Sequence, residues 1–318
     1  MYESVVIGWD GSPASEEALR WASRRPLGDR YRLLHVVDDR RAREDDASPL
    51  DLEAAADRAL QARVAQAALD APFLRVIGEI AVGHRKDELE RRTGRSAVLV
   101  LGSDRSPGVV DRLRWNVATR IASRAHGPVI VVPPGAADRR GPVVAGVDGT
   151  SAARAAALRA AEFAEATSAP LVLLHAWQAV GEPDVPPEPP EDDGIGVDRE
   201  VPGEDVPSRT VEHAHAAVLD AVLQEVRAAH PTLRVTGRLV HESAPVALRE
   251  AAADAGLLVL GRHGRWSSSA VLLGSITHAM LLAGVAPLLV VGRQDVPVPV
   301  PPLPAPAEVE GSSRQVIG

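Results

Sequence analysis

The sequence predicts an α/β protein of two tandem, doubly wound copies, and three observations carry that reading. Short continuous apolar runs such as Val5-Val6-Ile7 and Val98-Leu99-Val100-Leu101 alternate with helical stretches. Strands apolar on both faces belong in parallel sheets covered by helices on both sides, reached by right-handed crossovers. The pattern occurs twice, because Val5-Val6-Ile7-Gly8-Trp9-Asp10-Gly11-Ser12 returns as Val143-Val144-Ala145-Gly146-Val147-Asp148-Gly149-Thr150. The length of 318 residues accommodates two such units.

Each copy opens on that first strand and continues into an alanine-rich, charge-punctuated stretch, Ala14 to Ser23 or Ala152 to Ala166, which reads as a helix. A second strand follows, Tyr31-Arg32-Leu33-Leu34-His35-Val36 or Leu171-Val172-Leu173-Leu174-His175-Ala176. Further helices are expected at 51–70 and 208–230, at 86–94 and 245–255, and at 112–126 and 270–284. Fourth strands recur at Val98-Leu99-Val100-Leu101-Gly102 and Leu258-Val259-Leu260-Gly261, and fifth strands at Pro128 to Val132 and Pro287 to Val291. The boundaries fall at 1–137 for the first domain, 138–295 for the second and 296–318 for a proline-rich tail, with the linker near Pro133 to Gly141. The offset between copies grows from 138 at the first strand to 159 at the fourth because of an acidic insertion, 181–206. That insertion has ten acidic residues, one arginine and six prolines, a composition expected to be disordered, and the tail suits an extended polyproline chain.

Composition removes several function classes. Without cysteine there is no disulfide framework, thiolate zinc site, iron-sulfur cluster or cysteine nucleophile. The net charge of −8 lies in the insertion, which alone carries −9 and leaves the remainder at +1. No global basic field is available to attract nucleic acid. Lys86 is the sole lysine, so no P-loop lysine can follow it. No run approaches the ~18 apolar residues of a membrane span, and no signal peptide is read at the start, so a cytoplasmic location is expected.

Ligands of such sheets sit beyond the carboxyl ends of the strands where strand order reverses, which directs attention to the residues after strands 1 and 4. In the second copy, strand 4 runs into Gly261-Arg262-His263-Gly264, and nine residues later Gly274-Ser275-Ile276-Thr277 opens a helix. Glycines let backbone N–H groups approach an anion, and a helix N-terminus with hydroxyls adds partial positive charge and donors. This is a phosphate cradle without lysine.

The motif Gly-x2-Gly-x9-Gly-Ser, together with the aspartate ending strand 1, resembles the nucleotide-binding signature of the universal stress protein family. The chain resembles a tandem member, with Gly261, Gly264, Gly274 and Ser275 in the signature positions and Asp148 as the strand-1 aspartate. The resemblance implies a five-stranded parallel sheet of order 3-2-1-4-5 in each copy and a stress-response regulator that binds ATP or a related adenine nucleotide without vigorous hydrolysis, Mg2+ being left open. It further implies that Asp148 contacts the adenosine, that Val147, Ala176 and Trp177 line the adenine pocket, that Arg262, His263, Ser275, Ile276 and Thr277 surround ribose and phosphates, and that Leu260 is among the nucleotide-binding residues. Pairing through strand 5 is implied as well, and the physical argument agrees, because apolar edge strands must be paired or covered. An intramolecular pseudo-dimer is therefore expected; a further homodimer and an unidentified protein partner stay open.

The first copy departs from the signature. It keeps Asp10 and Gly102, but Arg105 replaces the second glycine and Trp115 and Asn116 stand at the Gly-Ser positions. One ATP per chain, in the second copy, is the expectation. A slow ATPase at the same cradle and a scaffold that binds no nucleotide are the alternatives, and no general base stands out. His35 and His175 read as structural, His213 and His215 as lying on opposing helix faces unsuited to a shared metal, and Trp9, Trp21 and Trp266 as packing residues.

Overall fold

The computed structural model describes residues 2–38, 48–104, 117–125, 127–178, 208–262 and 273–292. The acidic insertion, the tail, His263, Gly264, Arg105, Trp115, Asn116 and Trp266 lie outside the described residues.

The first copy runs β1 (Tyr2–Gly8), α1 (Pro13–Ser23), β2 (Gly28–Val37), α2 (Pro49–Asp70), β3 (Val76–Val82), α3 (Arg85–Arg91), β4 (Ala97–Gly102), α4 (Val117–Arg124) and β5 (Val129–Val132). The second runs β6 (Val143–Gly146), α5 (Ser151–Ala166), β7 (Leu171–Trp177), α6 (Ser208–Ala229), β8 (Val235–His241), α7 (Ala244–Ala253), β9 (Leu257–Gly261), α8 (Ser275–Ala283) and β10 (Leu288–Val291). The expected order 3-2-1-4-5 appears in both, as β3-β2-β1-β4-β5 and β8-β7-β6-β9-β10, with all pairs inside each copy parallel.

Local chemistry explains the helix starts. Ser12 and Thr150 are N-caps whose side chains accept hydrogen bonds from the N–H groups of Ser15 and Ala153, both at 3.2 Å. The preceding Gly11 and Gly149 take φ of 76° and 81°, a left-handed turn that glycine adopts without strain. Alanine dominates the buried face of α5, which lets it lie close on the sheet; a Cβ at Gly261 would stand 2.8 Å from the carbonyl carbon of Ala152.

The two copies share one ten-stranded sheet. β5 and β10 pair antiparallel, in the register Leu288↔Val131, Leu289↔Ile130 and Val290↔Val129. The two edges that would otherwise be exposed therefore cover each other. Alternating side chains of the central strands feed one apolar layer on each face. Ile7, Val100, Ile130, Leu289, Val259 and Ala145 lie in the layer under α1, α2, α5 and α6. Val6, Leu99, Val131, Leu288, Leu258 and Val144 lie in the layer under α3, α4, α7 and α8. Both layers are continuous across the β5–β10 pair, so the boundary between the copies is itself part of the core.

The 133–142 linker is tied to both halves. Ala137 N–H donates to Glu17 at 2.7 Å, the Arg25 guanidinium donates to the Ala137 and Arg139 carbonyls, and that of Arg139 donates to the carbonyls of Val285, Ala252 and Ala253.

Candidate functional site

The end of β6 and the end of β9 converge, since these strands are neighbours in register Val143↔Leu257 to Ala145↔Val259. Asp148 follows β6, half-buried, and its carboxylate accepts from Thr150 N–H at 3.0 Å and Thr150 Oγ1 at 2.6 Å. It is thereby fixed at the N-terminus of α5. Asp10 makes the corresponding turn with Ser12 N–H at 3.1 Å.

The two ends of the glycine motif are locked together. Gly274 N–H donates to the Arg262 carbonyl at 2.7 Å, and Thr277 Oγ1 donates to the Gly261 carbonyl at 2.7 Å. The N-terminus of α8, with Gly274 as its N-cap and Ser275 exposed, is thus held beside the end of β9. Arg262 N–H in turn donates to Val291 O at 2.7 Å, binding the start of the loop to β10.

Two sequence assignments change in meaning. Arg262 was expected at the phosphates, but its side chain is buried and its guanidinium donates to the carbonyls of Ala125 and Gly127, the latter at 2.8 Å. These carbonyls follow α4 of the first copy, so the arginine joins the halves. Its charge is matched to carbonyl groups left without helical partners at the end of α4. Thr277 was also expected near phosphate; its hydroxyl proton is given to Gly261 and the residue is buried. Ile276 packs against the adjoining core layer and Leu260 belongs to it.

The expected adenine wall proves to be a cluster of aromatic and imidazole rings. Val147 is buried, and its carbonyl accepts from His175 Nδ1 at 2.6 Å. Since a carbonyl can only accept, the His175 proton sits on Nδ1, and Nε2 faces His215 Nδ1 at 2.8 Å. His215 stacks on Trp177 with centroids 5.1 Å apart and planes at 16°, and His241 lies 4.2 Å from Trp177. Ala176 is packed against the core beside them. The sequence missed His215 and His241 as neighbours of this wall; the signal was β7–β8 register, which opposes Trp177 to His241, and helix phase, which turns His215 inward.

The first copy is built differently at the same place. Arg85, the first residue of α3, reaches Asp10 at 3.2 Å, whereas the first residue of α7 is Ala244. Burial raises the pKa of Asp10, but the Ser12 hydrogen bonds, the Arg85 charge and the Ser15 hydrogen bond together hold it below the ordinary value. The described walls here, including Trp9, Asp10, Arg85, Gly102 and Asp104, enclose a cavity of about 120 Å³. Among the described residues no group of three or more His, Asp or Glu is placed to hold a metal ion, and no helix is long and apolar enough to cross a membrane.

This fold and strand-end site define a class: the chain belongs to the universal stress protein family, whose family model matches residues 1–133 and again 140–292. Universal stress protein Rv1996 of Mycobacterium tuberculosis is 28% identical over 310 residues, covering 90% of this chain and 94% of its own. A universal stress protein of Mycolicibacterium smegmatis is 30% identical over 304 residues, covering 90% and 96%. Among solved structures, a universal stress protein from Archaeoglobus fulgidus superposes with a TM-score of 0.60 at 16% identity, over 92% of this chain and 99% of that one. A second, from Pseudomonas aeruginosa, gives 0.57 at 14% identity over 92% and 93%. At these identities the structural likeness concerns the fold.

Proposed function

We propose that the chain is a stress-response regulator that binds one ATP, or a related adenine nucleotide, in its second copy and presents the occupied state to a protein partner. The carrying observation is the closure of the glycine motif, in which Gly274 N–H on Arg262 O and Thr277 Oγ1 on Gly261 O hold a helix N-terminus next to the Asp148 turn. Backbone donors and the α8 dipole favour phosphate there, and Asp148 is an acceptor suited to ribose hydroxyls. Gly264 and His263, from the same motif, complete the proposed phosphate side, and Val147, Ala176 and Trp177 the base side. Thr277 contributes through its main-chain N–H in the first turn of α8, whereas Arg262, with its main-chain groups and its guanidinium all engaged, serves to hold the loop in place.

The first copy has the Arg85–Asp10 pair where the second has Ala244 and an aspartate bonded to Thr150. A nucleotide hydroxyl would have to compete with that guanidinium for Asp10, which supports a stoichiometry of one. Isothermal titration of nucleotide-stripped protein with ATP, with and without Mg2+, tests the reading, with released phosphate followed in parallel. One site per chain with negligible turnover is expected, and Gly264→Val should weaken it at least tenfold. Sustained turnover would make the protein a slow ATPase. Absence of binding would leave an interaction scaffold.

A further inference from the structure

The linker builds a second cavity at the end of the sheet opposite Asp148. Its walls are the loop after α1, the linker itself, and the loop after α5, with Pro142, Pro170 and Gly256 immediately preceding β6, β7 and β9. The cavity measures about 520 Å³, the size of a small organic ligand. Phe163 forms an apolar wall, stacked on the buried Trp21 at 6.2 Å.

The charge in this cleft is one-sided. Arg24, Arg25, Arg139 and Arg140 line it against a single carboxylate, Asp138. The four arginines differ in what they do. Arg139 is spent on the carbonyls that end α7 and precede β10. Arg25 is half-buried, donates to the carbonyls of Trp21, Ala137 and Arg139, and lies over the Trp21 ring at 4.3 Å. Carbonyls satisfy its hydrogen bonds without neutralising its charge. Burial, with the like charges of Arg140 and Arg24, pushes it down to about 10. Arg24 pairs with the exposed Asp138, and Arg140 is exposed with no ion pair among the described residues. Glu17, buried under the linker, accepts from Ala137 N–H and pairs with Arg20. A nearly neutral folded chain thus sets four guanidinium groups against one carboxylate around an open cavity at the junction of its halves.

We propose that this cleft is a binding site for a small phosphate-bearing anion, contacted by Arg24 and Arg140 with Arg25 as fixed positive charge in its floor. Guanidinium forks match phosphate oxygens in pairs, and a polyanion relieves repulsion that a lone water cannot. Because the walls come from α1, the linker and α5, an occupant would touch both halves at once.

The test uses the full chain and tripolyphosphate as probe, titrated calorimetrically at low and high KCl. Three proteins are compared: wild type, Arg24→Ala/Arg140→Ala, and Gly264→Val, which alters the glycine motif only. Both arginines are exposed, so the double variant should keep the wild-type unfolding midpoint. The proposal expects wild type and Gly264→Val to bind alike, the double variant to lose at least tenfold in affinity, and salt to weaken the wild-type interaction. Loss of binding in Gly264→Val with retention in the double variant would place the anion at the glycine motif and overturn it. Absence of binding to wild type, or equal binding to all three, would overturn it too. ATP titration of the double variant separates the two sites, since the nucleotide reading can fail without affecting this one.

Discussion

Gly102 shows how a residue that reads as a ligand contact also has a packing reason to be glycine. A Cβ there would stand 1.9 Å from the Ala14 carbonyl oxygen, at the start of α1, whereas a Cβ at Gly94 meets nothing within 4 Å. Gly102→Ala should therefore cost about 2–4 kcal/mol and Gly94→Ala less than about 0.5 kcal/mol, measured by denaturant unfolding. Gly261 faces Ala152 in the same manner, so only Gly264 is offered as a probe of ligand binding. Arg262→Ala strips the Ala125 and Gly127 carbonyls of a buried charged donor and should destabilise by about 2–4 kcal/mol, with ATP affinity changed far less. His35 supplies a pH prediction. Burial lowers its pKa, and Arg85 reinforces this against the Trp9 hydrogen bond and the Asp10 charge. The unfolded chain then binds the proton more readily, so the contribution is present above the ordinary value of 6.5 and lost as pH falls through the lowered one. His35→Gln should flatten the stability profile between about pH 7 and 5.

At the scale of elements, helix starts were legible because caps are local: Ser12-Pro13 and Thr150-Ser151 announce α1 and α5, and both caps form. Strand order was available through the family resemblance. The helix expected over 270–284 begins only at Ser275 in the structure, because helical periodicity does not register where a glycine N-cap such as Gly274 begins the first turn, and the start of the helix expected over 112–126 lies outside the described residues. The β5–β10 ladder carries the connection between copies, with Ile130 opposite Leu289. Val290, opposite Val129, turns its main-chain N–H toward β5, because Pro287 and Val291 face β9, so replacing Val290 by proline removes a donor of that ladder and introduces a ring the strand cannot seat. Hydrogen exchange should then accelerate in 129–132 and 288–291 together, while β1 and β6 keep their protection; acceleration confined to 288–291 would show that the ladder contributes little.

At the scale of the whole molecule, one sheet with two continuous apolar layers should unfold as one body. Calorimetry is expected to give a single transition; two transitions would mean that each copy's own core outweighs the shared one. The first copy alone, residues 1–137, would expose the apolar edge Val129–Val132 and should dimerise through it, which sedimentation can read. The linker explains why the pairing is fixed in the full chain, since Arg25 of the first copy holds the linker carbonyls of Ala137 and Arg139, and Arg139 reaches the open carbonyls at the end of α7 and before β10.

The sequence by itself determined the doubling, the α/β class, the strand ends at which a candidate site is sought and the asymmetry between an intact and a degenerate motif. These follow from hydrophobic period, cap chemistry and glycine spacing, all of which act within a few residues along the chain. Tertiary structure decided the rest: that Arg262 crosses to the other copy, that Arg85 takes Asp10, that His215 and His241 gather at Trp177, and that arginines 24, 25, 139 and 140 meet around one cleft. Long polar side chains find partners by spatial proximity rather than by sequence spacing, and the pairing of β5 with β10 brings together residues more than a hundred positions apart.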